Sequence, residues 1–62
     1  MKKEEIYTRL REILKGKKGV KKAMAGQYVY GFLVALRDFN VLSEDEYKEI
    51  RDSLISEFGY FA

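Results

Sequence analysis

The chain has no cysteine, no histidine, no proline and no tryptophan. Without cysteine there is no disulfide framework, and without cysteine and histidine there is no thiolate or imidazole set for zinc. Cys–His and Ser–His nucleophile pairs are excluded for the same reason. The missing proline leaves the segment from Val20 to Phe39 without a built-in helix break. Long apolar runs are also lacking. The longest uncharged stretch, Ala23 to Leu36, is fourteen residues, against the roughly 20 that a membrane-spanning helix needs. Glu4, Glu5, Arg9, Arg11 and Glu12 interrupt any signal-peptide h-region after Met1-Lys2-Lys3. The expected location is cytoplasmic, with no membrane partner.

What is present is small and apolar. The 62 residues are 47% hydrophobic and include five tyrosines and four phenylalanines. They fit one helical domain spanning residues 1–62. So short a chain buries only about 60% of the surface it exposes when unfolded. With disulfides and such metal sites excluded, dense packing and association with another chain remain as stabilisers.

The net charge of +2 hides a polarised chain. Residues 1–22 hold nine Lys/Arg against three Glu, a net of +6. Residues 23–42 hold Arg37 and Asp38, and residues 43–62 hold six acids against Lys48 and Arg51, a net of −4. Such asymmetry suits a nucleic-acid face, a head-to-tail self-association, or two helices that attract each other.

Apolar spacing predicts three helices, at about 3–15, 20–39 and 43–58. In the first, Ile6, Leu10, Ile13 and Leu14 form a stripe, and Gly16 suits a left-handed terminus. The second is apolar on most sides. Ala25, Val29, Phe32, Leu36 and Phe39 form one stripe with Tyr28 beside it. Met24, Gly31, Val34 and Ala35 form another. Gly26, Tyr30, Leu33 and Arg37 lie on a third, with Ala23. A helix apolar on most sides must be surrounded. Two neighbours within the chain cover two stripes, which leaves the third for water or another molecule. The third helix begins at Ser43-Glu44-Asp45-Glu46, a capping box, with Leu42 and Tyr47 at the spacing of a hydrophobic staple. Asn40 sits where a left-handed residue ends the second helix, so helices two and three form an antiparallel hairpin. The expected fold is an all-α three-helix domain with helix two central and mostly buried. Its expected core is Leu10, Ile13, Leu14, Tyr28, Phe32, Leu36, Phe39, Leu42, Tyr47, Ile50, Leu54 and Phe58.

Two surfaces are candidates for function. Lys15, Lys17, Lys18, Lys21 and Lys22 crowd the approach to helix two, where the helix dipole disfavours cations by about 0.3–1 kcal/mol each. They are either a solvated loop facing an acidic helix or a contact for anions or nucleic acid. No Gly-Lys-Ser/Thr ending makes this a P-loop. A helix-turn-helix reading meets Glu44, Asp45, Glu49, Asp52 and Glu57 on helix three, which phosphates would repel. The other candidate is the third stripe, Gly26, Tyr30, Leu33 and Arg37, since tyrosine and arginine are enriched at binding hot spots. The tail residues Tyr60 and Phe61 either fold back or serve as an exposed anchor. Carboxylates on helix surfaces give acid–base catalysis little support. No catalytic residue, cofactor, metal or small-molecule substrate is expected.

Leu33, Leu36, Val41-Leu42-Ser43, Glu46-Tyr47, Ile50 and Leu54 give residues 33–55 a resemblance to the SHOCT helical hairpin. Asn40 stands where that family usually has glycine, and an extra N-terminal helix precedes the hairpin. The resemblance implies oligomerisation or protein contacts. In style, though by no motif, the chain is also similar to small helical proteins of prophages and mobile elements, which implies an inhibitor or regulator of a host or defence protein. The expected function is thus a non-enzymatic protein-interaction module that associates with itself, a host protein, or both. The alternative is a small nucleic-acid-binding protein using Lys15 to Lys22.

Overall fold

The computed structural model describes residues 3–59, and within them the chain forms three α-helices and no strand. Helix α1 spans Lys3–Leu14, α2 spans Gly19–Asp38 and α3 spans Glu44–Phe58. Each helix packs against both others. The ion pairs Lys3–Glu49 and Arg11–Glu57 advance together along α1 and α3, so these two helices run parallel. Helix α2 runs back between them.

The turns follow from local chemistry. Asn40 takes a left-handed φ of 61° after α2. The Val41 N–H donates to the Leu36 carbonyl at 2.8 Å, and the Asn40 N–H to that of Arg37 at 3.0 Å. These two bonds satisfy carbonyls left open at the helix end, in the Schellman pattern. Three residues later the Ser43 hydroxyl accepts from the Glu46 N–H at 3.1 Å, while the Glu46 carboxylate accepts from the Ser43 N–H at 2.9 Å. That backbone hydrogen bond holds the Glu46 carboxyl below its ordinary pKa. Leu42 and Tyr47, the predicted staple, are both buried. The tight link this creates gives α2 and α3 their antiparallel order.

The core is Ile6, Leu10, Leu14, Val29, Leu33, Leu36, Leu42, Tyr47, Ile50 and Leu54, aliphatic apart from Tyr47. Ile13 and Phe58 are half-buried against it. Three expected core residues lie outside. Tyr28, Phe32 and Phe39 are 60%, 36% and 80% exposed. Their places are taken by Val29, Leu33 and Gly26, which α2 turns inward with Leu36. The physical reason is that α2 is apolar on nearly every side, so polarity alone did not select its inner face. Helix axes pack roughly 8–10 Å apart, a spacing set by the side chains between them. Here the narrow seam is filled by aliphatic side chains and a glycine. Helix α2 touches both neighbours yet buries one stripe rather than most of its surface.

The seam between α1 and α3 is held differently. Arg11 donates to Glu57 from Nε at 2.8 Å and from Nη2 at 2.6 Å, and the Tyr7 hydroxyl donates to the same carboxylate at 3.1 Å. The Arg11 bonds push the Glu57 carboxyl below its ordinary pKa. Partial burial, with the bond to Glu57, raises the Tyr7 phenol. Helix α1 itself holds three cations and three acids. What joins it to the acidic α3 is two specific ion pairs, Lys3–Glu49 and Arg11–Glu57, and the basic excess of the first third lies in the lysine segment after it.

Candidate interaction surface

The outward side of α2 lies opposite its buried stripe. Wound at 3.6 residues per turn, Val20, Ala23, Met24, Gln27, Tyr28, Gly31, Phe32 and Ala35 share this side, and all are exposed. Val20 and Met24 are 75% and 65% exposed. None of the eight is charged. Tyr28 and Phe32, one turn apart, hold their rings 6.3 Å between centroids at 29°. Phe39 and Val41, just past the end of the helix, are also exposed. A helix of this length is about 30 Å long and its side about 10 Å wide. Contiguous apolar patches larger than a few hundred Å² mark sites of interaction, and the largest patch on a typical single chain is often functional.

Gly31 sits in the middle of this side. It has no positive φ, and a Cβ built there meets no heavy atom within 4 Å. Nothing in the chain's own packing therefore requires glycine at this position. An interior helical glycine costs about 1 kcal/mol relative to alanine. Its effect is a shallow dip between Gln27, Tyr28 and Ala35, where another backbone or ring can come close.

The four residues predicted as an interface are divided. Gly26 and Leu33 are buried, Leu33 completely, and so offer a partner nothing. Tyr30 is 47% exposed, to one side of the outward patch. Arg37 is half-buried and occupied within the chain. Its guanidinium lies 4.5 Å from the centroid of the Tyr47 ring and pairs with Asp38 at 3.5 Å and Glu44 at 3.8 Å. It closes the α2–α3 hairpin. The outward patch itself was assigned to the core or to intrachain contacts by its helical spacing. No spacing signal separated it, because Phe32 shares a stripe with Val29 and Leu36, and Tyr30 shares one with Leu33.

The lysine segment leads into the start of α2. Lys15, Lys17, Lys18 and Lys21 are exposed and Lys22 is half-buried. Lys18 is the N-cap of α2 and provides no side-chain cap, and no acid occupies the first turn. Gly19 takes a left-handed φ of 58°. This end of α2 therefore combines open backbone donors with cations. The tail residues Tyr60 and Phe61 lie outside the described residues, as does Met1-Lys2. An open hollow of about 430 Å³ on α1 is lined by the exposed residues Glu4, Glu5, Thr8, Arg9 and Glu12, a mixed-charge helix surface. Among the described residues no helix is long and apolar enough to cross a membrane. Comparison with family models, curated proteins and solved structures finds no match to the chain.

Proposed function

We propose that this protein is a non-enzymatic interaction module that associates with a second copy of itself through the outward side of α2. The observation that supports this most is the uncharged set Val20, Ala23, Met24, Gln27, Tyr28, Gly31, Phe32 and Ala35, exposed on the side of α2 away from its core with Lys21 at one end. Two such sides pressed together remove Met24, Tyr28 and Phe32 from water, at about 25 cal/mol for each Å² of apolar surface buried. Self-association also supplies the stabiliser that a chain without disulfides lacks. The surface is small beside the roughly 800 Å² per partner of a standard interface, so the dimer dissociates on dilution. Sedimentation equilibrium over a concentration series tests this. The average mass rises from the 7.3 kDa of one chain toward twice that value. Met24→Glu with Tyr28→Glu holds it at one chain, with unchanged helical circular dichroism. A wild-type protein that stays at one chain's mass at millimolar concentration overturns the proposal.

A second reading, nucleic-acid binding, draws support from the uncapped, lysine-rich start of α2. Lysine–phosphate contacts release counterions, so such binding weakens steeply with salt. A gel-shift titration at two salt concentrations tests it, with Lys17, Lys18, Lys21 and Lys22 changed to glutamine. The absence of binding at low salt eliminates it.

A further inference from the structure

We infer that the two copies dock antiparallel, about a twofold axis passing between Val29 and Tyr30, so that the lysine segment of each meets the acidic end of α2 and start of α3 in the other. This rests on the self-association proposed above and specifies its geometry.

The charges at the two ends of the patch select the direction. Residues 15–22 carry five lysines and no acid, a net of +5. Residues 37–46 carry Asp38, Glu44, Asp45 and Glu46 against Arg37, a net of −3. Lys17, Lys18 and Lys21 are exposed at one end, and Asp38, Glu44 and Asp45 at the other. A parallel pair sets lysines against lysines and acids against acids. An antiparallel pair sets unlike ends together at both extremities, because in a twofold interface each contact occurs twice. Charge complementarity of this kind fixes partner orientation more than it adds affinity. It also accounts for the cations at the start of α2, which the helix dipole alone disfavours. The second copy supplies the acids that the first turn of α2 lacks.

Shape agrees with this direction. The exposed apolar residues of this side extend from Val20 to Phe39, and their span has its middle between Val29 and Tyr30. With the axis there, Lys21 falls level with the partner's Asp38, and Met24 level with the partner's Ala35. Tyr28 falls beside the partner's Gly31 and Phe32. Long side chains thus meet short ones, and the two Tyr28–Phe32 pairs lie against each other across the axis. The open space over Gly31 is where the partner's tyrosine comes closest.

A charge exchange tests the arrangement. Lys21→Glu alone sets a carboxylate against Asp38 at both ends of the dimer, and Asp38→Lys alone sets lysine against lysine. Each variant by itself associates severalfold more weakly than wild type by sedimentation. Mixed in equal amounts, they pair unlike charges at both ends and recover association to within about twofold of wild type, a gain that salt removes by screening. The chain has no cysteine, so Met24→Cys and Ala35→Cys give a second, independent reading. Mixed under mild oxidation, they form the mixed disulfide well above the random share. If wild type dimerises but the charge variants do not complement and Met24→Cys links mainly to itself, the antiparallel arrangement is overturned while self-association stands. If neither charge variant weakens a dimer that does form, the arrangement is likewise overturned. If wild type remains a single chain, both proposals fall.

Discussion

On one side of α2, Val29 and Leu33 are completely shielded from water. On the other, Met24 and Tyr28 keep 65% and 60% of their surface exposed. The two sides belong to the same twenty-residue helix, Gly19–Asp38, and neither carries a charge at its centre. They differ in size and shape. The inner side offers a glycine, a valine and two leucines, and the outer side offers methionine, tyrosine, phenylalanine and an unsupported glycine. In a bundle this small the inward choice goes to side chains that let three helices approach closely and fill the space without voids. The bulkier set is left outside, where it forms a surface and not a core.

The largest break in this comparison comes from truncating one residue on each side. Leu33→Ala removes a fully buried side chain and leaves a cavity, at a cost of about 2–5 kcal/mol. A domain of this size has little more than that to lose, so the variant is expected to be largely unfolded by circular dichroism at 37 °C. Tyr28→Ala, measured by urea denaturation at concentrations where single chains dominate, shifts stability by less than about 1 kcal/mol. Equal losses at the two positions would mean that Tyr28 is packed as tightly as Leu33.

Which of these two sides turned inward was the part of the fold that the residues did not disclose. Amphipathic α1 and α3 placed themselves. Ile6, Leu10 and Leu14 share one face of α1, and Tyr47, Ile50 and Leu54 share one face of α3. The turn at Asn40 and the start of α3 at Ser43 were legible because capping is local chemistry, written in four or five adjacent residues. Helix α2 has apolar residues nearly all the way round, so its periodicity identified a helix without orienting it. That same ambiguity placed Leu33 and Gly26 on a surface and Tyr28, Phe32 and Phe39 in a core. The lysine cluster was legible as exposed. The pairing of Arg11 with Glu57 was not legible, because α1 holds as many acids as cations and the register depends on how α1 and α3 slide against each other.

Glycine sharpens the comparison further. Gly26 is buried on the inner side, whereas Gly31 faces open space. Gly31→Ala gains helix propensity without meeting any atom, so it stabilises the single chain by about 1 kcal/mol. For a small domain this raises the melting temperature by roughly 4–8 °C. Scanning calorimetry on dilute protein measures it. A fall in melting temperature would show that the outer position is constrained within the chain after all.

The smallest effect lies at the α1–α3 seam, where charge, not size, holds two helices together. Glu57 accepts from Arg11 and Tyr7, and its pKa is lowered in the folded chain. A carboxyl whose folded pKa is depressed contributes stability above its unfolded value, and that contribution is lost as pH falls through the folded one. With an ordinary glutamate near 4.3, the contribution from Glu57 is present at neutral pH and begins to fade as acidity approaches that value. Glu46, held low by the Ser43 N–H, follows the same direction. Glu57→Gln is therefore expected to lower stability slightly at pH 7 and to reduce the loss between neutral pH and pH 3. Urea midpoints at the two pH values measure the difference. If the variant and wild type lose the same amount on acidification, Arg11 and Glu57 lie side by side without coupling, and α1 is held to the bundle by Ile6, Leu10 and Leu14 alone.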